Sequence, residues 1–260
     1  MSALALAGVA LAATIAGVTS FAILICFIVS VLCWEWGRMV RDEDGGVTFL
    51  LHALFALLAC VLAALDLTML ALVSLAIGAV IVGATRYGNL AGVSALGLFY
   101  IGVPAVALIW LRSDASHGLS AVLFVFMIVW TADTAAFVGG RLIGGAKLFP
   151  SISPNKTWSG FLTSLVAAAV VGAGFAFVLE HSPHVQLAMT GVILAIAAQI
   201  GDLCESALKR GYGVKDASGL IPGHGGFMDR LDGQIFASGV AAVLGVAMNW
   251  HAPAQGLLYW

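Results

Sequence analysis

LLHALFALLACVLAALDLTMLALVSLAIGAVIVGAT, residues 50–85, holds one formal charge, the carboxylate of Asp66. Each side of that carboxylate is an apolar run close to the roughly 20 residues a membrane-spanning helix needs. The stretch therefore reads as two spans, 50–65 and 67–85, broken at the acid. Ala and Leu dominate and no polar–apolar alternation is present, which favours helices over barrel strands.

The same pattern extends outward. Apolar runs separated by short polar breaks predict spans near 3–18, 19–34, 50–65, 67–85, 92–111, 119–138, 161–180, 187–207 and 234–250. The first two could fuse and give eight. A single helix over residues 1–34 would be about 50 Å long at 1.5 Å per residue, well beyond a hydrocarbon core of about 30 Å. Gly17-Val18-Thr19-Ser20 is the expected break. The predicted fold is thus an all-α, polytopic transmembrane helical bundle of about nine spans. It forms one integral membrane domain over 1–260, with N-terminal spans in 1–118 and the chemistry-bearing helices and loops in 119–260.

Composition supports this. The chain is 62% hydrophobic and 9% charged, with a mean hydropathy of +1.07; a soluble domain carries about 25% charged residues. Net charge is −2, so nothing in the balance favours nucleic acid. The first charged residue is Glu35, so no basic n-region marks a secretory signal and the first helix is expected to be retained. Cys26, Cys33, Cys60 and Cys204 lie in apolar runs without metal-site spacing and read as packing residues. Cys204 stands apart, between Asp202 and Glu205.

The cations orient the chain. Arg38, Arg41, Arg86, Arg141, Lys147, Lys156, Lys209, Arg210, Lys215 and Arg230, ten of the eleven basic residues, fall in the breaks 35–49, 86–91, 139–160 and 208–233; Arg112 alone falls on the other side. The positive-inside rule makes the basic side cytoplasmic. Two breaks there, 139–160 and 209–233, are longer than turns and rich in Gly and Pro, as expected of ordered loops with unusual backbone angles.

Asp202 follows the apolar run 192–200, where a carboxylate is costly unless it faces a partner or a polar cavity. Glu205, Ser206 and Lys209 lie three, four and seven residues on, so a helix would put all four on one face. A snorkelling helix end with a local ion pair is the plainer alternative. Asp133, near the same end of its own span, either lines the same cavity or bonds a neighbouring helix.

The 208–233 break interleaves Lys209-Arg210, Lys215-Asp216 and His224-Gly225-Gly226-Phe227-Met228-Asp229-Arg230-Leu231-Asp232. Cations suit phosphate groups. Carboxylates suit Mg²⁺, which takes one or two of them together with substrate phosphates. Glycines let backbone N–H groups approach a phosphate. Phosphoryl or nucleotidyl transfer with Mg²⁺ is the chemistry that needs all three. A solvated basic loop would explain the Lys and Arg but not the acids. His224 has no second His at zinc spacing, and no Walker A loop occurs. In the other break, Ser153-Pro154-Asn155-Lys156-Thr157-Trp158-Ser159-Gly160 leads into a helix whose N-terminus could hold an anion or be merely capped.

Ser206-x-Leu208-Lys209-Arg210-x4-Lys215-Asp216-x-Ser218-x2-Ile221-Pro222, followed by x-His224-Gly225-Gly226-Phe227-x-Asp229-Arg230-Leu231-Asp232, resembles the signature of phosphatidate cytidylyltransferases. Gly201-Asp202-Leu203-x-Glu205-Ser206 and the 153–160 segment are similar to further segments of that family, although Asn155 stands where many relatives carry Lys. The resemblance covers the C-terminal half. It implies that CTP and phosphatidate give CDP-diacylglycerol and pyrophosphate, with Mg²⁺ and room for a second cation. It implies Asp202 and Asp229 as metal ligands, with Lys209, Arg210, His224 and Arg230 completing the catalytic set. It further implies Lys215 as a phosphate contact and Ser206, Asp216 and Asp232 as site residues; the reading of the residues themselves adds Asp133, Ser153, Lys156, Thr157, Glu205, Gly225 and Gly226 as candidate substrate contacts.

The expected setting is a bacterial inner membrane. The cleft would face the cytoplasm and open to membrane lipids, and a homodimer is compatible with it. Two alternatives stay open at this point. One is a CTP-dependent lipid kinase acting on a polyprenol. The other is a transporter, although transporters need polar access from both faces and the polar residues here gather on one.

Overall fold

A computed structural model describes residues 2–41, 46–85, 89–179, 183–221 and 225–260. In chain order the elements are α1 (Ser2–Ala16), α2 (Val18–Arg41), α3 (Val47–Ala64), α4 (Thr68–Ala84), α5 (Asn89–Ser113), α6 (Gly118–Ile143), β1 (Lys147–Phe149), β2 (Ser153–Thr157), α7 (Trp158–Phe175), α8 (His184–Gly211), α9 (Met228–Met248) and α10 (Pro253–Leu258). Every expected span is an apolar helix. Among the described residues seven are long and apolar enough to cross a membrane, while α1 and α4 are shorter apolar helices. The fold is all-α and polytopic.

Boundaries differ from expectation where charge and helix coincide. The α2 helix runs through to Arg41, so Glu35 and Arg38 belong to a helix rather than to the break at 35–49. The α9 helix begins at Met228, so Asp229, Arg230 and Asp232 are helical and not part of the preceding loop. The expected break at Gly17 is present: its φ of 126° lies in the left-handed region that L side chains rarely adopt, and α1 stops there.

The chain divides into two compact units, residues 1–115 with 211–231, and residues 116–210 with 232–260. In the first, α2, α3, α4 and α5 pack on one another and α1 packs on α2. Trp36 is fully buried there, its ring 5.4 Å from that of Tyr100. The buried His52 has Nε2 2.7 Å from the Ser94 carbonyl. Arg112, the isolated cation of the sequence, is buried, and its Nε donates to the Thr14 carbonyl at 2.9 Å. A cation at the C-terminal end of α1 is favourably placed against the helix dipole.

In the second unit small residues set the spacing. Where lipid supplies no hydrophobic drive between helices, close backbone approach supplies packing. A Cβ on Gly160 of α7 would meet the Ala136 carbonyl oxygen of α6 at 2.6 Å. A Cβ on Gly201 of α8 would meet the Asp232 carbonyl oxygen of α9 at 2.5 Å. Between α6 and α7 the 139–160 break folds into an antiparallel hairpin, Lys147 opposite Thr157 and Phe149 opposite Ser153. Gly144 and Gly145 lead into it with φ of 68° and 102°. Thr157 caps α7, its Oγ1 accepting the Gly160 N–H at 3.2 Å. At the C-terminus the Trp260 indole N–H donates to Thr190 Oγ1 at 2.9 Å and holds α10 near α8.

Candidate active site

The second unit gathers its polar side chains at one end. The C-terminal part of α6 carries Asp133, the hairpin before α7 carries Lys156, and the C-terminal part of α8 carries Asp202, Glu205 and Lys209. Helices joined by short connections alternate in direction, so these are the ends the sequence put on one face of the membrane.

Lys156 is the hub. Its Nζ lies 2.7 Å from Asp202 Oδ2 and donates to Gln199 Oε1 at 3.2 Å. Asp202 Oδ1 accepts from Ser206 Oγ at 3.3 Å, one helical turn on. Glu205 and Lys209 form a second i,i+4 pair at 2.5 Å, both side chains buried. The four residues that the sequence put on one face of α8 thus make two parallel pairs. Asp202 and Ser206 are half-buried, whereas Glu205 and Lys209 face inward. The Asp232 Oδ1 accepts its neighbour's N–H, from Gly233 at 2.7 Å, and the carboxyl is acted on by the charges of Asp202, Glu205 and Asp133. Asp133 in turn is acted on by Asp202 and Lys156. Among the described residues, four carboxyl groups are thus gathered with two ammonium groups.

The first unit holds a different arrangement. Asp229, in the first turn of α9, accepts two backbone N–H groups on Oδ2, from Gly226 at 2.7 Å and Ala217 at 3.0 Å. Glu35 of α2 is fully buried. It accepts from Ser218 Oγ at 2.5 Å and Phe227 N at 2.9 Å on Oε1, and from Met228 N at 2.7 Å on Oε2. Gly226 is buried so tightly that a Cβ would meet Glu35 Oε1 at 2.2 Å; Gly225 has φ 79°. The Ile221 N–H donates to the Gly225 carbonyl at 2.8 Å.

The remaining sequence candidates are distributed as follows. Lys215 and Asp216 are exposed, as are Arg210 and Arg230. Ser153 begins β2, half-buried. His224 lies outside the described residues. Glu35 and Gln199 were not singled out from sequence. Glu35 sits at the polar end of an apolar run and reads as loop. Gln199 carries no charge, so an apolar run hides it; a buried amide in a span is the signal that would have found it.

The donor set suits a hard divalent cation. Its ligating atoms are oxygens, and Asp202 is 35% exposed. Among the described residues no three His, Cys, Asp or Glu side chains form a metal cage. Mg²⁺ does not require one, since it keeps waters and shares its shell with substrate phosphates.

The profile of the cytidylyltransferase family matches residues 1–248. A phosphatidate cytidylyltransferase of Brucella suis biovar 1 is 36% identical over 213 residues, which cover 82% of this chain and 79% of that protein. The phosphatidate cytidylyltransferase of Staphylococcus haemolyticus is 38% identical over 154 residues, 59% of this chain and 58% of that protein. That of Bacillus subtilis is 38% identical over 146 residues, 56% of this chain and 54% of that protein. With a family match over nearly its whole length, the chain belongs to the cytidylyltransferase family.

Proposed function

We propose that the protein is a phosphatidate cytidylyltransferase that converts CTP and phosphatidate to CDP-diacylglycerol and pyrophosphate. The observation that carries this reading is the unbroken run from Ser206 to Asp232 in a chain 36% identical to a protein of that name. Neither the polyprenol kinase nor the transporter reading has a comparable observation.

A phosphate oxygen of phosphatidate attacks the α-phosphorus of CTP, and the bond to the β-phosphate bridging oxygen breaks. The attacking monoester is already anionic, so no strong base is required. The barrier is repulsion between anions and their alignment, which fixed cations and N–H groups lower. Arg210, Lys215 and Arg230 are exposed, and on the sequence signature they are the cations that would meet phosphates. Lys156 and Lys209 hold carboxylates and keep the acidic cluster from repelling itself apart. On the sequence signature Asp202 and Asp229 are the Mg²⁺ ligands. Bound there, Mg²⁺ would neutralise phosphate charge as pyrophosphate leaves.

The placement of the cations supports an inner-membrane protein with this chemistry on the cytoplasmic side, where CTP is found and phosphatidate is reached from the bilayer. A homodimer and a second cation remain compatible with the reading.

The test is direct. Membranes bearing the protein, given labelled CTP and phosphatidate, should form CDP-diacylglycerol, and EDTA should stop it. Turnover of a polyprenol with none of phosphatidate would reverse the assignment; CTP-independent substrate flux in proteoliposomes would favour a transporter.

A further inference from the structure

Two carboxylates bind the same two pieces of backbone. Asp229 takes the N–H of Ala217 and of Gly226. Glu35 takes the hydroxyl of Ser218 and the N–H groups of Phe227 and Met228. Neighbouring residues, 217 with 218 and 226 with 227, are therefore divided between the two acids. Ser218 Oγ also receives the Leu220 N–H at 3.3 Å.

Glu35 reaches this point from α2, almost two hundred residues away in sequence. Its carboxylate is enclosed, and among the described residues its partners are Ser218, Phe227 and Met228. Phe227 N and Met228 N are among the first N–H groups of that helix, which have no intrahelical acceptor. A carboxylate at a helix N-terminus also opposes the positive end of the helix dipole. The fit leaves no slack, because a Cβ on Gly226 would collide with both Glu35 Oε1 and Ser218 Oγ, at 2.2 and 2.8 Å. Phe27, two turns before Glu35 on α2, sets its ring edge-on to Phe227 at 6.4 Å and backs the polar contacts with an apolar one.

We infer that Glu35 is a positioning residue for the reaction: from within α2 it fixes the backbone that carries the Asp229 carboxylate. This rests on the reading that Asp229 is a metal ligand of a cytidylyltransferase. Glu35 touches neither substrate nor metal; it acts by restricting where Asp229 can point. Residues that orient a metal ligand in this way typically matter 10–100-fold to metal affinity or activity.

The test uses the full chain in lipid-containing micelles with the variants Glu35→Gln, Glu35→Asp and Ser218→Ala. Glu35→Gln keeps the shape but replaces one acceptor oxygen with a donor. Ser218→Ala removes one bond of the three and serves if the first variant folds poorly. The expected result is a rise of roughly tenfold or more in the Mg²⁺ concentration for half-maximal turnover and a fall in kcat. KM for phosphatidate should stay within about twofold, because the altered groups do not meet lipid. Without substrates, hydrogen exchange at Phe227 and Met228 should accelerate in Glu35→Gln, and Glu35→Asp should recover part of both effects.

Wild-type turnover together with an unmoved metal response in Glu35→Gln would overturn the role of Glu35 alone. Faster exchange with an unchanged metal response would also overturn it, because the residue would then be merely structural. A wild-type protein that neither turns over CTP and phosphatidate nor is stabilised by Mg²⁺ with CTP would remove the functional reading, and this inference with it.

Discussion

Lys156 Nζ lies 2.7 Å from Oδ2 of Asp202, so the lysine at the end of the hairpin strand is committed to a carboxylate of α8. The sequence suggested an anion site at the start of α7, with Lys156 and Thr157 as its donors. In the structure Thr157 serves as the cap of α7 and Lys156 faces acids. The ammonium sits beside Asp202, where the carboxyl groups of Asp133 and Asp232 also gather. Lys156→Met should therefore reduce kcat/KM by roughly 10²-fold, the scale of losing one oriented charge in an active site. Lys156→Arg should retain more activity than Met. Steady-state kinetics on purified variants, with Mg²⁺ varied, checks both statements.

The Glu205–Lys209 pair makes a different prediction, because both side chains are buried. Removing one member of a buried pair leaves the other charge uncompensated and costs about 3–5 kcal/mol. Lys209→Met should lower the melting temperature and the folded yield in detergent. Glu205→Gln combined with Lys209→Met should recover much of that stability. If Lys209 also meets a phosphate, as the sequence signature implies, the double variant will be stable and still inactive. Thermal unfolding and turnover measured on the same three proteins separate the two roles.

Gly201 stands beside Asp202 where α8 meets α9. A Cβ there would approach the Asp232 carbonyl oxygen to 2.5 Å and Phe236 Cβ to 3.0 Å. Backbone cannot swing aside as a flexible side chain can, so Gly201→Ala must shift one helix against the other. Overpacking of this kind costs about 1–3 kcal/mol. The same shift moves Asp202 relative to Asp232, so activity should fall by more than the loss of folded protein accounts for. Turnover per folded molecule, with folded protein measured by size-exclusion profile, reads this out.

The helices were legible because lipid rewards apolar composition over a length fixed by the bilayer, and that is a local property. The break at Gly17 was legible for a similar reason, since a glycine beside hydroxyl residues interrupts an apolar run. Glu35 was not legible. Its burial depends on Ser218 and Phe227, and nothing in residues 30–40 announces them. The start of α9 was missed because Met228–Asp232 offers no apolar periodicity; its first turn is held by carboxylates instead. The hairpin at 147–157 was hidden by the Gly and Pro residues around it, which signal a turn without saying that two short strands pair across it. Within the site, the i,i+4 pairing on α8 followed from spacing alone. The partner of Asp202 across the fold, Lys156, did not.

Asp229 allows its metal role to be separated from its structural one. Oδ2 accepts N–H bonds from Gly226 and Ala217, and so it is part of what shapes the turn. Asp229→Ala removes that acceptor together with the charge. The turn ahead of α9 should loosen, and a loss of activity would then be ambiguous. Asp229→Asn keeps one carbonyl oxygen to accept the same N–H groups but removes the negative charge that a divalent ion requires. The Asn variant should therefore fold with a melting temperature close to wild type, within the few degrees that about 1 kcal/mol represents in a protein of this size. Its turnover should fall by at least roughly 10²-fold, and raised Mg²⁺ should recover little of it. The Ala variant should be equally inactive and measurably less stable. Full activity in Asp229→Asn would remove Asp229 from the metal site and leave it as a cap of α9.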